Sequence, residues 1–125
     1  MKKPLALVIE DDEPHAELFS EALQKAGFEV EAINDGKIAL ARLSETVPSL
    51  VVLDLHLPHV SGRDILDQIR ADSRLAKTRV MIVSADSQMT SMLREKADLA
   101  LTKPVSYFQL RELATRLRAD DSSVG

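Results

Sequence analysis

The stretch LVVLDLHLPHVSG, residues 50–62, decides how the rest of the chain is read. Four apolar residues, Leu50–Leu53, run without a polar break and stop at Asp54. A short continuous run of this kind fits a strand buried on both faces, not one with an alternating wet face. Pro48 introduces the run, and Pro58 and Gly62 punctuate the loop that follows it. Beyond the loop, Arg63–Ala71 has a helical period that turns Ile65, Leu66 and Ile69 inward. Buried strand, loop, then helix is the repeating unit of a parallel sheet covered by helices.

The same unit recurs in both directions. Upstream, Leu5–Ile9 stops at Glu10-Asp11-Asp12-Glu13, and a helix follows with Phe19, Ala22, Leu23 and Ala26 at spacings of three and four. Gly27 stands at the expected helix stop. Glu29–Ile33 leads through Asn34-Asp35-Gly36 into a short helix at about Lys37–Ser44. Downstream, Arg79–Val83 ends at Ser84 and precedes a helix at Gln88–Lys96, with Met89, Met92 and Leu93 read as one inward stripe. Leu99–Thr102 ends at Lys103-Pro104, and a helix from about Ser106 to Arg118 carries Leu110, Leu113, Ala114 and Leu117 in register. Five β and five α segments in strict alternation predict an α/β fold, a parallel sheet with helices on both faces. The expected domain is residues 4–118, with 119–125 read as a C-terminal tail or the start of a linker.

Composition narrows the function. At 125 residues the chain has the size of one domain, and its apolar runs are far too short to span a membrane. No basic and apolar leader marks the N-terminus. Cysteine is absent, which removes disulfides, thiol catalysis and cysteine-ligated zinc. The only aromatics of the Phe/Tyr/Trp class are Phe19, Phe28, Tyr107 and Phe108, too few for a base-stacking platform. Four glycines form no phosphate cradle or dinucleotide fingerprint. The net charge of −4 is uneven: residues 1–62 hold five Lys/Arg against eleven Asp/Glu, and residues 63–125 hold eleven against nine. An acidic half suits a divalent cation or a basic partner, not a phosphate backbone.

In a parallel sheet the residues after each strand share one edge, where ligands of such folds bind. Here those residues are Glu10, Asp11 and Asp12, then Asp54, Ser84 and Lys103. Clustered carboxylates repel one another, and a hard cation with oxygen ligands relieves them; Mg²⁺ or Mn²⁺ keeping several waters fits best. With Lys103 opposite and Ser84 beside it, the cluster suits a phosphoryl group, and Asp54 can act as nucleophile to form an acyl phosphate. Each residue also has a plainer reading: the 10–13 run as a helix cap, Ser84 as a cap, Lys103 as a solvated charge. Their placement at the same end of successive strands favours the site.

These residues resemble the receiver domain of bacterial two-component response regulators, chemotaxis regulators among them. The resemblance covers residues 4–118 and rests on LVIEDDE (7–13), VVLDLHLPHVSG (51–62), VSAD (83–86) and LTKP (101–104), with AINDGKIAL (32–40) as weaker support. It implies a flavodoxin-like receiver fold with strand order 2-1-3-4-5. It implies a signalling switch of a phosphorelay, not an enzyme with a separate substrate, although such domains assist their own phosphorylation and slow dephosphorylation. Asp54 would take a phosphoryl group from the phosphohistidine of a histidine kinase or histidine phosphotransfer protein. Glu10 and Asp11 would hold Mg²⁺ together with Asp54 and the backbone carbonyl of His56, with Asp11 as direct ligand. Asp12 falls outside the pair. Ser84 matches the switch hydroxyl, Lys103 the phosphate-contacting lysine, and the Lys103–Pro104 bond would be cis. A cytoplasmic location, an output partner or effector domain, and a homodimer through the fourth- and fifth-helix face follow from the same resemblance. Direct nucleic-acid or membrane contact does not.

Three positions depart from the family pattern. Ala100 stands where an aromatic switch residue is usual, Lys96 replaces a usual glycine, and Val105 replaces a usual phenylalanine. Ala100 motivates an alternative, a receiver that no longer switches and serves as a docking scaffold. A phosphatase working through an aspartyl phosphate would place a second aspartate two residues after the nucleophile. Position 56 is histidine instead, and the chain has no cap insertion. The His56 imidazole either tunes phosphoryl lifetime or sits in solvent, with solvent favoured; His59 is read as a loop residue without a role, and with Pro58 between them the two do not form a metal pair. His15 lies close to the acidic run in sequence.

Overall fold

The structure, a computed structural model, describes residues 2–124, and the side chains of residues 2–119. Five strands, β1 (Leu5–Ile9), β2 (Glu29–Ile33), β3 (Leu50–Leu53), β4 (Arg79–Ser84) and β5 (Leu99–Thr102), form one parallel sheet. Their order is β2-β1-β3-β4-β5, so β2 and β5 are its edges. The helices are α1 (Glu13–Lys25), α2 (Gly36–Glu45), α3 (Gly62–Ala71), α4 (Ser87–Leu93) and α5 (Tyr107–Val124). Among the described residues no helix is long and apolar enough to cross a membrane.

The inner strands are apolar between their end residues because both sheet faces are covered. On one face Leu7, Ile9, Val51, Leu53 and Ile82 pack with Leu43, Ile65, Leu66, Ile69 and Leu93 of α2, α3 and α4. On the other, Ala6, Val8, Val52, Met81 and Val83 pack with Phe19 and Leu23 of α1 and Leu110 and Ala114 of α5. Each helix starts at a short polar residue whose side chain accepts a backbone N–H of the first turn: Asp12, Asp35, Ser61, Asp86 and Ser106. Such caps satisfy donors that the helix itself leaves unpaired.

Two elements differ from the sequence expectation. α4 ends at Leu93, a 3₁₀ turn takes over at Arg94–Lys96, and Met92 is 67% exposed. Met89 and Leu93 pack inward as read, but Met92 does not join them. The last helix also continues to Val124, whereas residues from 119 were expected to form a tail. The side chains of 120–124 and all of Gly125 lie outside the described residues.

Tight backbone approaches fix the loop after β3. Gly62 N–H donates to Leu55 O at 3.0 Å, and a Cβ on Gly62 would lie 2.2 Å from Asp54 O. Gly36 N–H donates to Pro58 O at 3.2 Å, and a Cβ on Gly36 would lie 2.2 Å from Val60 O. Glycine is required at both points because backbone occupies the side-chain space. At the opposite edge, where β4 and β5 begin, Arg70 of α3 donates to Lys96 O (2.8 Å), Thr78 O (3.1 Å) and the Asp98 carboxylate (3.0 Å). Asp98 also accepts the Val80 N–H at 2.7 Å, and Thr78 Oγ donates to Pro48 O at 2.7 Å.

Candidate functional site

The strand register brings the candidate residues together. Ile9 is aligned with Leu53, Leu53 with Ile82, and Ser84 with Thr102, so the residues that follow share one edge. Backbone pairing extends a step past the strands: Glu10 N–H donates to Ile33 O (2.9 Å), Asp54 N–H to Ile9 O (3.0 Å) and Lys103 N–H to Ser84 O (2.8 Å). The chemistry-bearing residues are therefore held by the sheet, not by free loops.

Carboxylate oxygens of Glu10, Asp11 and Asp54 all lie within 4.8 Å of one another. Asp11 is exposed, whereas Glu10 and Asp54 are buried. Lys103 Nζ donates to Glu10 Oε1 at 2.6 Å and to Asp54 Oδ2 at 3.4 Å. Glu10 Oε2 accepts the Asp12 N–H at 3.2 Å, and Asp54 Oδ1 accepts the His56 N–H at 3.3 Å. Burial pushes Glu10 up to about 7, against the pull of Lys103 and with Asp54 adding to the push. Lys103 sits above its ordinary value: burial works to lower it, and the Glu10 and Asp54 carboxylates outweigh burial. Three carboxylates cluster here and the Lys103 ammonium contacts two of them, which is the donor set and charge surplus that a hard divalent cation relieves.

Ser84 is fully buried at the end of β4, and its Oγ accepts the Asp86 N–H at 3.3 Å. The Lys103–Pro104 peptide is cis. Ala100 is buried in the core that holds Leu93. Lys96 is exposed and pairs with Asp67, while Val105 packs partly buried on the other sheet face.

The histidines proved more engaged than their sequence positions indicated. His56 is exposed, yet its Nε2 lies 3.3 Å from Asp86 Oδ2. His59 takes a left-handed backbone, with φ of 69°, and turns its Nδ1 to Asp35. The two imidazoles thus point to different carboxylates. His15 Nδ1 lies 3.3 Å from Lys103 Nζ and 2.8 Å from Asp12 Oδ2. Within the 10–13 run, Asp12 is the α1 cap, while Glu10 and Asp11 contribute to the acidic cluster. Asp86, which caps α4 and faces His56, lies beyond the residue that stops β4, and its position two residues after Ser84 is its only signal in the sequence.

Residues 6–117 match the response regulator receiver domain family. The sensory transduction protein RegX3 of Mycobacterium tuberculosis is 38% identical over 115 residues, which are 90% of this chain and 48% of that protein. The chain thus spans about half the length of this curated relative. The probable methanogenesis regulatory protein FilR2 of Methanothrix harundinacea is 31% identical, over 91% of this chain and 81% of its own. Among solved structures, a CheY-like response regulator receiver domain from Methylobacillus flagellatus superposes with a TM-score of 0.81 at 28% identity, covering 93% of this chain and 99% of that one. Fold, acidic edge and matched residues lead to one assignment: this chain belongs to the response regulator receiver domain family.

Proposed function

We propose that this domain is the phosphoaccepting switch of a two-component phosphorelay, with Asp54 as the acceptor. The supporting observation is the convergence of three carboxylates on one edge, with the Lys103 ammonium 3.4 Å from Asp54 Oδ2. An Asp54 oxygen attacks phosphorus of a donor phosphohistidine; the O–P bond forms, the P–N bond breaks, and its electron pair leaves on the imidazole nitrogen. Lys103 stabilises the phosphoryl oxygens, and the Ser84 hydroxyl donates to one of them. Glu10, Asp11, Asp54 and the His56 backbone carbonyl would hold Mg²⁺ or Mn²⁺. When bound, the cation neutralises the carboxylate surplus and the charge on the transferred group. The donor is a histidine kinase or a histidine phosphotransfer protein, in the cytoplasm, and phosphorylation changes binding to an output partner or effector domain. Association of two copies through the α4/α5 face belongs to the same reading. The complete carboxylate–lysine set favours this reading over a docking scaffold.

The test is incubation with Mg²⁺ and acetyl phosphate, followed by intact mass. Wild type is expected to gain one phosphoryl group and Asp54→Ala none. No gain by wild type from any phosphodonor would overturn the proposal.

A further inference from the structure

We propose that His15 is a positioning residue for Lys103: its ring keeps the ammonium turned toward Asp54 by standing between Lys103 and a competing carboxylate, Asp12. The inference rests on the phosphoacceptor reading and assigns a role to a residue outside the carboxylate–lysine set.

The ring is held from three sides. It stacks on Phe19, with centroids 5.7 Å apart and planes 11° apart, and Phe19 is buried in the core. Its Nδ1 contacts Asp12 Oδ2 at 2.8 Å and Lys103 Nζ at 3.3 Å. Asp12 is itself fixed, since its carboxylate caps α1 by accepting the His15 N–H at 3.1 Å. A ring nitrogen cannot donate to Asp12 and accept from Lys103 with the same atom. In either tautomer, however, the same ring nitrogen contacts both groups, and Lys103 pairs directly with Glu10 and Asp54 but not with Asp12.

That arrangement matters because of what Lys103 is offered. A lysine is a compact charge on a flexible four-carbon stem, so its position depends on what surrounds its head group. Inward lie Glu10 at 2.6 Å and Asp54 at 3.4 Å. Outward lies Asp12, a half-exposed carboxylate and the next contact of the same ring nitrogen. The Asp54 contact is the longest of the three that Lys103 makes, and it is the one the phosphoryl group needs. With the ring removed, Asp12 competes directly for the ammonium, and the Asp54 side is the first to lose it.

The decisive experiment is a double-mutant cycle on the whole domain. His15 lies in the first turns of α1, where alanine is a good helix former, so His15→Ala is expected to fold. Asp12→Asn keeps a capping side chain and removes its charge. Phosphoryl uptake from acetyl phosphate is expected to slow about tenfold in His15→Ala, as follows if the ammonium then sits mostly at Asp12. Asp12→Asn alone is expected to change it little, and Asp12→Asn in the His15→Ala background to restore most of the rate. A parallel readout needs no metal and no phosphodonor: the Lys103 ε-methylene NMR shift should move in His15→Ala and return in the double variant. Wild-type rate in His15→Ala, or a double variant as slow as His15→Ala, would overturn the inference and leave the phosphoacceptor reading standing. Failure of wild type itself to take up phosphoryl would sink both.

Discussion

Two charged clusters sit at opposite edges of the same sheet, and they are balanced differently. Where β4 and β5 begin, the Arg70 guanidinium meets Lys96 O, Thr78 O and Asp98, and Asp98 also takes the Val80 N–H. Each donor there meets an acceptor across α3, β4 and the turn before β5, and Arg79 Nη1 also lies 3.9 Å from Asp98 Oδ1, so the carboxylate is answered by two guanidinium groups. Where the strands end, Glu10, Asp11 and Asp54 face the single ammonium of Lys103. A matched cluster fastens elements together. An under-compensated one carries a repulsion that a bound cation would relieve.

The contrast can be broken most sharply at Asp54. Asp54→Asn preserves shape and removes a charge, so phosphoryl uptake measured by intact mass should vanish. In EDTA the melting temperature should hold or rise, because one of the repelling carboxylates is gone. A clear drop in melting temperature would mean that the cluster at the strand ends is structural after all. Next in size is Lys103→Met, which should lower the uptake rate by about 10²–10³, the range for deleting one preorganised donor to a developing anion.

The cluster around Arg70 should respond the other way. Arg70→Ala should cost about 1–3 kcal/mol in urea denaturation, since it leaves two carbonyls and the Asp98 carboxylate short of a donor. Uptake at Asp54 should change by no more than about twofold, as expected for well-separated sites. The smallest effect concerns pH. Glu10 binds its proton more tightly in the fold, near 7, than its ordinary 4.5, so its stabilising contribution is full below about 4.5 and is lost as pH rises through about 7. Metal-free protein should therefore show a falling contribution across that window. Glu10→Gln should flatten the trend, and added Mg²⁺ should oppose it by favouring the ionised carboxylate.

The sheet was legible because its inner strands are uninterrupted apolar runs, such as Leu50–Leu53, each stopping at a polar residue. The site followed from the same stops, since register carries Glu10, Asp54 and Lys103 to one edge. α4 was misread because seven residues are too few turns for periodicity to assign a face; Met92 and Leu93 are neighbours in sequence but not in exposure. The last helix ran past its apolar period, which ends near Leu117. Contacts such as His15 to Lys103 join residues 88 positions apart and depend on side-chain direction, which no local pattern records.

The two outer strands also set how the protein behaves when concentrated. β2 carries Glu29 and Glu31, the latter clasped by Arg42 at 2.6 Å, whereas Leu99–Thr102 of β5 carries no charge. An outer strand offers unpaired N–H and C=O groups to any second strand, and charges blunt that offer. Self-association by strand addition should therefore begin at β5, and a lysine in place of the exposed Thr102 should raise the concentration at which the protein remains monomeric.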